Sequence, residues 1–329
     1  MNVFYFSSDL FISVLATSAV SLMENNKSFE EINIYIGDDG ISNENKEKFK
    51  EIVSSYGRNV DFISLPDPSE LFDFPFKDRY QIGHSYPRMA IDILLPDTVD
   101  KVLCLDSDTL ILNDLSELWN MNLDRNIMAG VIDCMNLSAY RKQFKLFNDD
   151  EFYCNAGMFL VDLKKWREEK IGNSIRKCIN ENNGNIFFFE QTLMNYVCRG
   201  RVLMLHPKYN TYTLFYAFKY ENLLKWRKPT VFYSEKEVSE AVANPYIIHF
   251  TRNFYMLSRP WVKGCDHPMT NTYIEYKKKT AWIELDEDNR NQKQKNKYKL
   301  WHILPQEAVC VCASFLYNSV RPRMWWKNE

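Results

Sequence analysis

The chain alternates between short runs of β-branched and aromatic residues and longer stretches whose apolar positions recur at helical spacing. Residues 3–6 (VFYF), 32–36 (INIYI) and 60–65 (VDFISL) have the first character; residues 10–26 (LFISVLATSAVSLMENN) and 43–57 (NENKEKFKEIVSSYG) have the second. This alternation predicts βαβ units, and so an α/β fold with a mostly parallel sheet flanked by helices. Further strands are predicted over 102–105, 127–132, 157–161, 202–205 and 246–250, and helices over 87–94, 163–180 and 190–198. Proline at a first helical position sacrifices no hydrogen bond and already holds the required φ, which places Arg88 in the first turn of a helix opening at Pro87. No internal repeat is present.

With 329 residues, 46% of them hydrophobic, the chain can bury a large core, either as one large domain with a tail or as two domains. Forty-one basic against 43 acidic residues leave a formal charge of −2, which gives no basis for a nucleic-acid partner. The eight cysteines contain no Cys-x-x-Cys pair and no zinc-like grouping, and read as reduced core thiols of a cytoplasmic protein. The apolar start could pass for a secretion signal, but no Lys or Arg precedes Lys27 and Asp9 interrupts it, so strand, loop and helix are predicted there. No apolar segment reaches the ~20 residues of a membrane-spanning helix.

Candidate chemistry concentrates in KVLCLDSDTLILNDLSELW (residues 101–119), where Asp106 and Asp108 follow an apolar run. Ligands of open α/β sheets bind at the carboxyl ends of the strands. Two carboxylates at i and i+2 of an extended segment face one side and can share a divalent cation; such hard oxygen donors suit manganese or magnesium. Equally, Asp108 can cap the following turn while Asp106 bonds loop amides. In FYCNAGMFLVDLKKW (152–166), Asn155 opens a strand, and Ala156 and Gly157 are small enough for something to approach the backbone closely. In YIIHFTRNFYMLSRPW (246–261), His249 ends a buried run, either as a hydrogen-bonded core residue or as a ligand.

The segments YPRMAIDILLP, KVLCLDSDTLI, CNAGMFLVDLKKW, FFFEQTLMN and IIHF…RPW, in this order, resemble the bacterial retaining glycosyltransferases of family 8 over about residues 2–276. The resemblance implies a GT-A fold, with a glycosyltransferase domain over 1–276 and a charged linker and C-terminal amphipathic tail over 277–329. It implies transfer of galactose or glucose from a UDP-hexose donor to a carbohydrate or glycolipid acceptor, with anomeric retention, in cell-envelope or surface glycan synthesis. Asp106, Asp108 and His249 would hold Mn2+, with Mg2+ the alternative. Nucleotide-sugar contacts are expected from Ser8, Asp9, Arg88, Ser107, Asp133, Asn155 and Arg259. Among these, Asp9 matches a uracil and ribose contact, Asp133 a contact to the hexose, and Arg259 a charge facing the diphosphate. Gln191 would face the anomeric carbon with Glu190 beside it. Because an amide is a poor nucleophile, same-face attack by the acceptor hydroxyl is expected, the departing phosphate taking the proton.

Several of these residues also have an ordinary structural explanation. Asp9 can cap the helix that follows it, Asp133 can form a strand-end turn, and Glu190 can sit at a helix N-terminus where the dipole favours it. Arg88 can pair with a nearby acid and Arg259 can be a surface arginine beside Trp261. The chain also departs from the family pattern. Thr192 replaces an expected acid, Leu10 and Phe11 replace a polar pair, and residues 249–261 are longer than usual and lack a glycine. Two competing functions follow: a non-catalytic nucleotide-sugar or glycan binder, and a phosphatase of the haloacid dehalogenase type. The latter is opposed by Leu110 and by the position of the motif a hundred residues into the chain. Lysines followed by Trp301, then Arg321, Arg323, Trp325 and Trp326, suit either peripheral contact with the inner membrane face or a solvated linker and packed helix.

Overall fold

The computed structural model describes residues 1–72, 86–140, 151–184 and 186–326. Ten strands occur among them: β1 (Asn2–Ser8), β2 (Asn33–Asp39), β3 (Asn59–Ser64), β4 (Lys101–Leu105), β5 (Thr109–Ile111), β6 (Met128–Ile132), β7 (Cys154–Asp162), β8 (Val202–Met204), β9 (Thr211–Tyr212) and β10 (Ile247–His249). Seven form a sheet in the order β3-β2-β1-β4-β7-β6-β8. Every neighbouring pair is parallel except those made by β7, which runs antiparallel to both β4 and β6. This is the mixed, mostly parallel α/β sheet that the alternating pattern predicts. Helices flank it, and a helical C-terminal region follows. Central strand β4 reads as an unbroken apolar run because both its faces are covered: Val102, Leu103, Cys104 and Leu105 are all buried.

The second sheet, β5-β10-β9, is where sequence and structure part company. β5 and β9 have three and two residues, too few for a period to register. What holds β5 is instead the helix Ile12–Asn25, whose small polar residues are buried. Ser21 Oγ accepts from Ile111 N at 2.9 Å, Asn25 Nδ2 donates to Ile111 O at 3.0 Å, and Ser18 Oγ lies 3.0 Å from Thr109 Oγ1. Backbone groups of a short strand that a longer ladder would satisfy are met by side chains.

The stretch 163–180 is two helices, Leu163–Glu168 and Ile171–Glu181. Lys170 between them is left-handed, with φ 55°. The break brings Gly172 against the Asp92 carboxylate, where a Cβ would fall 2.2 Å from Oδ2, and Asp92 pairs with Arg176 at 3.1 Å. Residues 87–94 likewise divide into Tyr86–Met89 and Ile91–Leu94. The N-terminus is a strand, a short 3-10 turn and a helix, as its pattern indicates. All eight cysteines are unpaired thiols, and among the described residues no helix is long and apolar enough to cross a membrane.

Candidate active site

Asp106 and Asp108 lie at the carboxyl end of β4, as the motif suggests, but in a tight turn rather than on an extended segment. Thr109 N donates to Asp106 O at 3.2 Å, and Thr109 Oγ1 donates to the same carbonyl at 2.8 Å. The turn is gripped from three sides. Asp106 N donates to Gly157 O of β7, Phe250 N beyond β10 donates to Asp108 O, and Ser107 Oγ donates to Phe6 O of β1. Pairing of β5 with β10 sets His249 directly opposite Thr109. Strand register therefore brings the distant imidazole to the two carboxylates: His249 Nε2 lies 3.2 Å from Asp106 Oδ2 and 3.3 Å from Asp108 Oδ1.

The ring is oriented by Asn155. Its Oδ1 accepts from Gly157 N at 2.9 Å and from Asn210 Nδ2 at 2.9 Å, and lies 3.2 Å from His249 Nδ1. An oxygen that already accepts two N–H groups meets Nδ1 as a third donor, so Nδ1 carries the proton and Nε2 faces the carboxylates. A neutral imidazole held this way presents its Nε2 lone pair to them, the arrangement that fixes a metal-binding histidine. Without a cation, desolvation lowers the pKa of His249, but the two aspartates override it and hold it up at about 9. One ligand atom from each of Asp106, Asp108 and His249 lies within 4.8 Å of the others, and two carboxylates with an imidazole fit a divalent cation. Gly157 is the reason the ring fits: a Cβ there would fall 2.0 Å from Nδ1. The close approach that this glycine allows is that of His249.

Two arginines flank the turn, Arg88 buried and Arg259 partly exposed. Arg88 pairs with Asp106 and stands 3.1 Å from Glu190 Oε1, while also donating to Ala156 O. Burial pushes the Glu190 carboxyl up to about 7 against the opposing pull of Arg88. Asp106 is penalised by burial too, yet Arg88 and His249 hold it well below the usual carboxylate range. Arg259 Nη1 lies 3.5 Å from Asp108 Oδ2, its guanidinium covers the Trp261 ring at 4.8 Å, and its Nε is buried with no acceptor.

Two groups of expected site residues lie on either side of this set. On one side a cavity of about 680 Å³ is lined by Ser8, Asp9, Asp106, Ser107, Asp108 and Arg259, and also by Leu10 and Phe11. Asp9 Oδ1 is held by Ser42 N and Asn45 Nδ2, each at 2.8 Å, and these bonds lower its pKa. Leu10 is 92% exposed at the cavity edge. On the other side Gln191 Oε1 accepts from Ala156 N at 3.0 Å, and Gln191 Nε2 donates to Asp133 Oδ2 at 2.9 Å. Asn155 links His249 to this second group, since its Nδ2 is 3.5 Å from Asp133 Oδ2. The turn ahead of Glu190 is strained: Phe188 and Phe189 both have positive φ, 54° and 28°. Thr192, in place of an expected acid, is buried and bonds Tyr153 at 2.7 Å.

Sequence reasoning missed Arg227, which ends the helix Tyr220–Arg227 and lies 3.5 Å from Asp133 Oδ1. In KWRKP it looks like any cation at a helix C-terminus. It also missed Asn210, whose buried amide bonds Asn155.

The model of glycosyl transferase family 8 matches residues 2–263. The chain belongs to that family. It is therefore a glycosyltransferase, and the phosphatase alternative falls. Among curated relatives, it is 25% identical to general stress protein A of Bacillus subtilis over 297 residues, 89% of this chain and 98% of the relative. It is 30% identical to a putative glycosyltransferase of Haemophilus influenzae over 236 residues, 70% of this chain and 69% of the relative. Among solved structures, the galactosyltransferase LgtC in complex with donor and acceptor sugar analogues superposes with a TM-score of 0.67 at 23% identity, covering 90% of this chain and all of that one. This last likeness confirms the GT-A fold.

Proposed function

We propose that this glycosyltransferase moves a hexose, galactose or glucose, from a UDP-sugar to a carbohydrate or glycolipid acceptor with retention, in cell-envelope or surface glycan synthesis. The observation that carries the proposal is the set Asp106–Asp108–His249, whose imidazole is turned by Asn155 so that Nε2 faces both carboxylates. Manganese is the proposed ion, with magnesium able to substitute. An ion held there supplies positive charge to the diphosphate of the leaving group.

The protein's own side chains do the rest. Ser8, Asp9 and Ser107 line the cavity that takes the nucleoside, its edge made apolar by Leu10 and Phe11. Arg259 places its charge beside Asp108, and its unpartnered Nε offers a donor to a diphosphate oxygen. Preorganised donors of this kind cost no reorganisation as negative charge develops on the departing phosphate. Asp133 and Asn155 bind the hexose hydroxyls, and Arg88 fixes Asp106 and Glu190 relative to each other. Gln191 is bonded at both ends of its amide, so it orients the anomeric centre rather than attacking it. The acceptor hydroxyl attacks from the face the nucleotide leaves, and its proton passes to the departing phosphate.

We further place the enzyme in the cytoplasm, as a domain over 1–276 with a tail over 277–329 that touches the inner membrane face. The tail's exposed Ile303, Val311, Phe315 and Leu316 beside Arg321 and Arg323 support that contact. Flotation with anionic liposomes, with and without residues beyond Lys279, tests it; equal partitioning of the two forms removes it. For the reaction, UDP release from UDP-galactose and UDP-glucose with manganese is measured across an acceptor panel. Transfer with one donor preferred is expected. Binding of UDP-sugar without turnover of any donor would overturn catalysis in favour of a binding protein.

A further inference from the structure

The C-terminal tail reaches the site just described. Residues 306–326 run as Gln306–Phe315, Leu316–Val320 and Arg321–Trp326 without interruption, and the middle segment is a π-helical turn. Such turns are rare and tend to accompany functional sites, because the extra residue re-aims a side chain. The element is locked onto the helix Tyr220–Arg227. Gln306 Oε1 accepts from Lys219 N at 3.1 Å and Asn222 Nδ2 at 3.0 Å, while Asn318 Nδ2 donates to Trp226 O at 2.8 Å.

The π turn places the buried Tyr317 ring 4.0 Å from the Arg227 guanidinium carbon. Arg227 is mostly covered, its side chain 11% exposed; it donates through Nε to Cys134 O and stands 3.5 Å from Asp133 Oδ1. The other oxygen of Asp133 accepts from Gln191, whose carbonyl in turn accepts from Ala156 N. The contacts thus form a continuous path from the tail: Tyr317, Arg227, Asp133, Gln191 and the backbone of β7 next to Asn155. A second contact runs beside it, for Arg321 lies 4.9 Å from the Phe188 ring and 5.3 Å from Phe187, at the strained turn ahead of Glu190 and Gln191.

We infer that the tail is a working wall of the sugar site, with Tyr317 and Arg227 as positioning residues that hold Asp133 and Gln191 in place. This rests on the proposed hexosyl transfer. An aromatic face over a desolvated guanidinium restrains it strongly, and the only carboxylate oxygen within reach of that guanidinium among the described residues belongs to Asp133. Loss of the ring frees Arg227, then Asp133, and then the amide that caps Ala156. The Asp106, Asp108 and His249 set is gripped by β1, β7 and β10 and meets this path through Asn155, whose contact with Asp133 is long at 3.5 Å while its Oδ1 is held by Gly157 N and Asn210 Nδ2 at 2.9 Å.

The test uses the full chain with Tyr317→Ala and Tyr317→Phe. Hydrogen exchange at the Ala156 amide is followed in the free protein, together with UDP–manganese affinity and kcat and KM for the preferred donor. For Tyr317→Ala, exchange at Ala156 speeds up by about tenfold or more, kcat falls by about tenfold, and UDP–manganese affinity stays within about twofold. Tyr317→Phe keeps the ring over Arg227 and matches wild type in all three. Unchanged exchange at Ala156 in Tyr317→Ala overturns the inference, as does a parallel fall in UDP–manganese affinity, which marks general collapse. Should the wild type turn over no donor, the hexosyl-transfer reading fails, while the exchange measurement still decides whether the tail holds the site.

Discussion

Replacing Gly157 with alanine tests the construction of the ligand set through one methyl group. The added Cβ would lie 2.0 Å from His249 Nδ1 and 2.3 Å from Cε1, whereas ordinary contact begins near 3.4 Å, so the ring stands about 1.4 Å too close. It cannot slide toward the carboxylates, already 3.2 and 3.3 Å from Nε2, without breaking its bond to Asn155. Metal–ligand distances tolerate only about 0.2 Å. A displacement of the size required therefore removes His249 from the set rather than weakening it. Overpacking of this kind costs about 1–3 kcal/mol, and manganese affinity should fall by about a hundredfold or more, above the 10–100-fold typical of losing a supporting partner. Manganese binding is read by electron paramagnetic resonance of the free ion, and stability by urea unfolding. The decisive control is His249→Ala, in which the methyl group has room. There Gly157→Ala should be nearly neutral, so the two changes are strongly non-additive. Wild-type manganese affinity in Gly157→Ala, or additive losses in the double variant, would show that the methyl group does not displace His249.

Arg88→Met leaves the Asp106 and Glu190 carboxylates without their buried cation; a loss of about 3–5 kcal/mol is expected in urea unfolding at pH 7.5, and one below 1 kcal/mol would contradict it. Glu190 gives a pH signature in the metal-free protein. Its carboxyl is raised from 4.5 to about 7 on folding, so the folded state holds the proton more tightly, and stability is full below pH 4.5 and declines as pH rises through 7. The shift corresponds to at most about 3 kcal/mol; Glu190→Gln should be the more stable form at pH 8 and equal to wild type at pH 4.5, and parallel profiles would sink this assignment. Gln191→Glu sets a carboxylate where an amide now donates to Asp133 at 2.9 Å. It should lose about 1–3 kcal/mol at pH 8, with recovery at pH 5 once the pair shares a proton, and a pH-independent loss would argue against that contact.

The large sheet is legible because its strands are long enough, and buried enough on both faces, for composition to register. β5 and β9 are too short for that, and side chains of a helix, rather than its own pattern, help satisfy the backbone of β5. The left-handed Lys170 is equally invisible, since the contact it accompanies, between Gly172 and Asp92, is distant in sequence. In the site, Asp106, Asp108 and His249 can be picked out because the ordered segments around them resemble a family. The physics that unites them, the β5–β10 register and the Asn155 bond, exists only in three dimensions. An extended segment would put the two aspartates on one face, but it is a turn that aims them. Arg227 and Tyr317 carry no local signal at all, because what joins them is packing of the tail against Arg227, which in turn faces Asp133.

In the proposed reaction, Asp106, Asp108 and His249 hold a cation through which the nucleotide is bound. Calorimetric titration of UDP into the wild type and Asp108→Asn, each with manganese and with chelator, tests it most directly. UDP should bind the wild type with manganese at least about tenfold more tightly, about 1.4 kcal/mol, than in any of the other three conditions. Equal UDP affinity with and without manganese would contradict it.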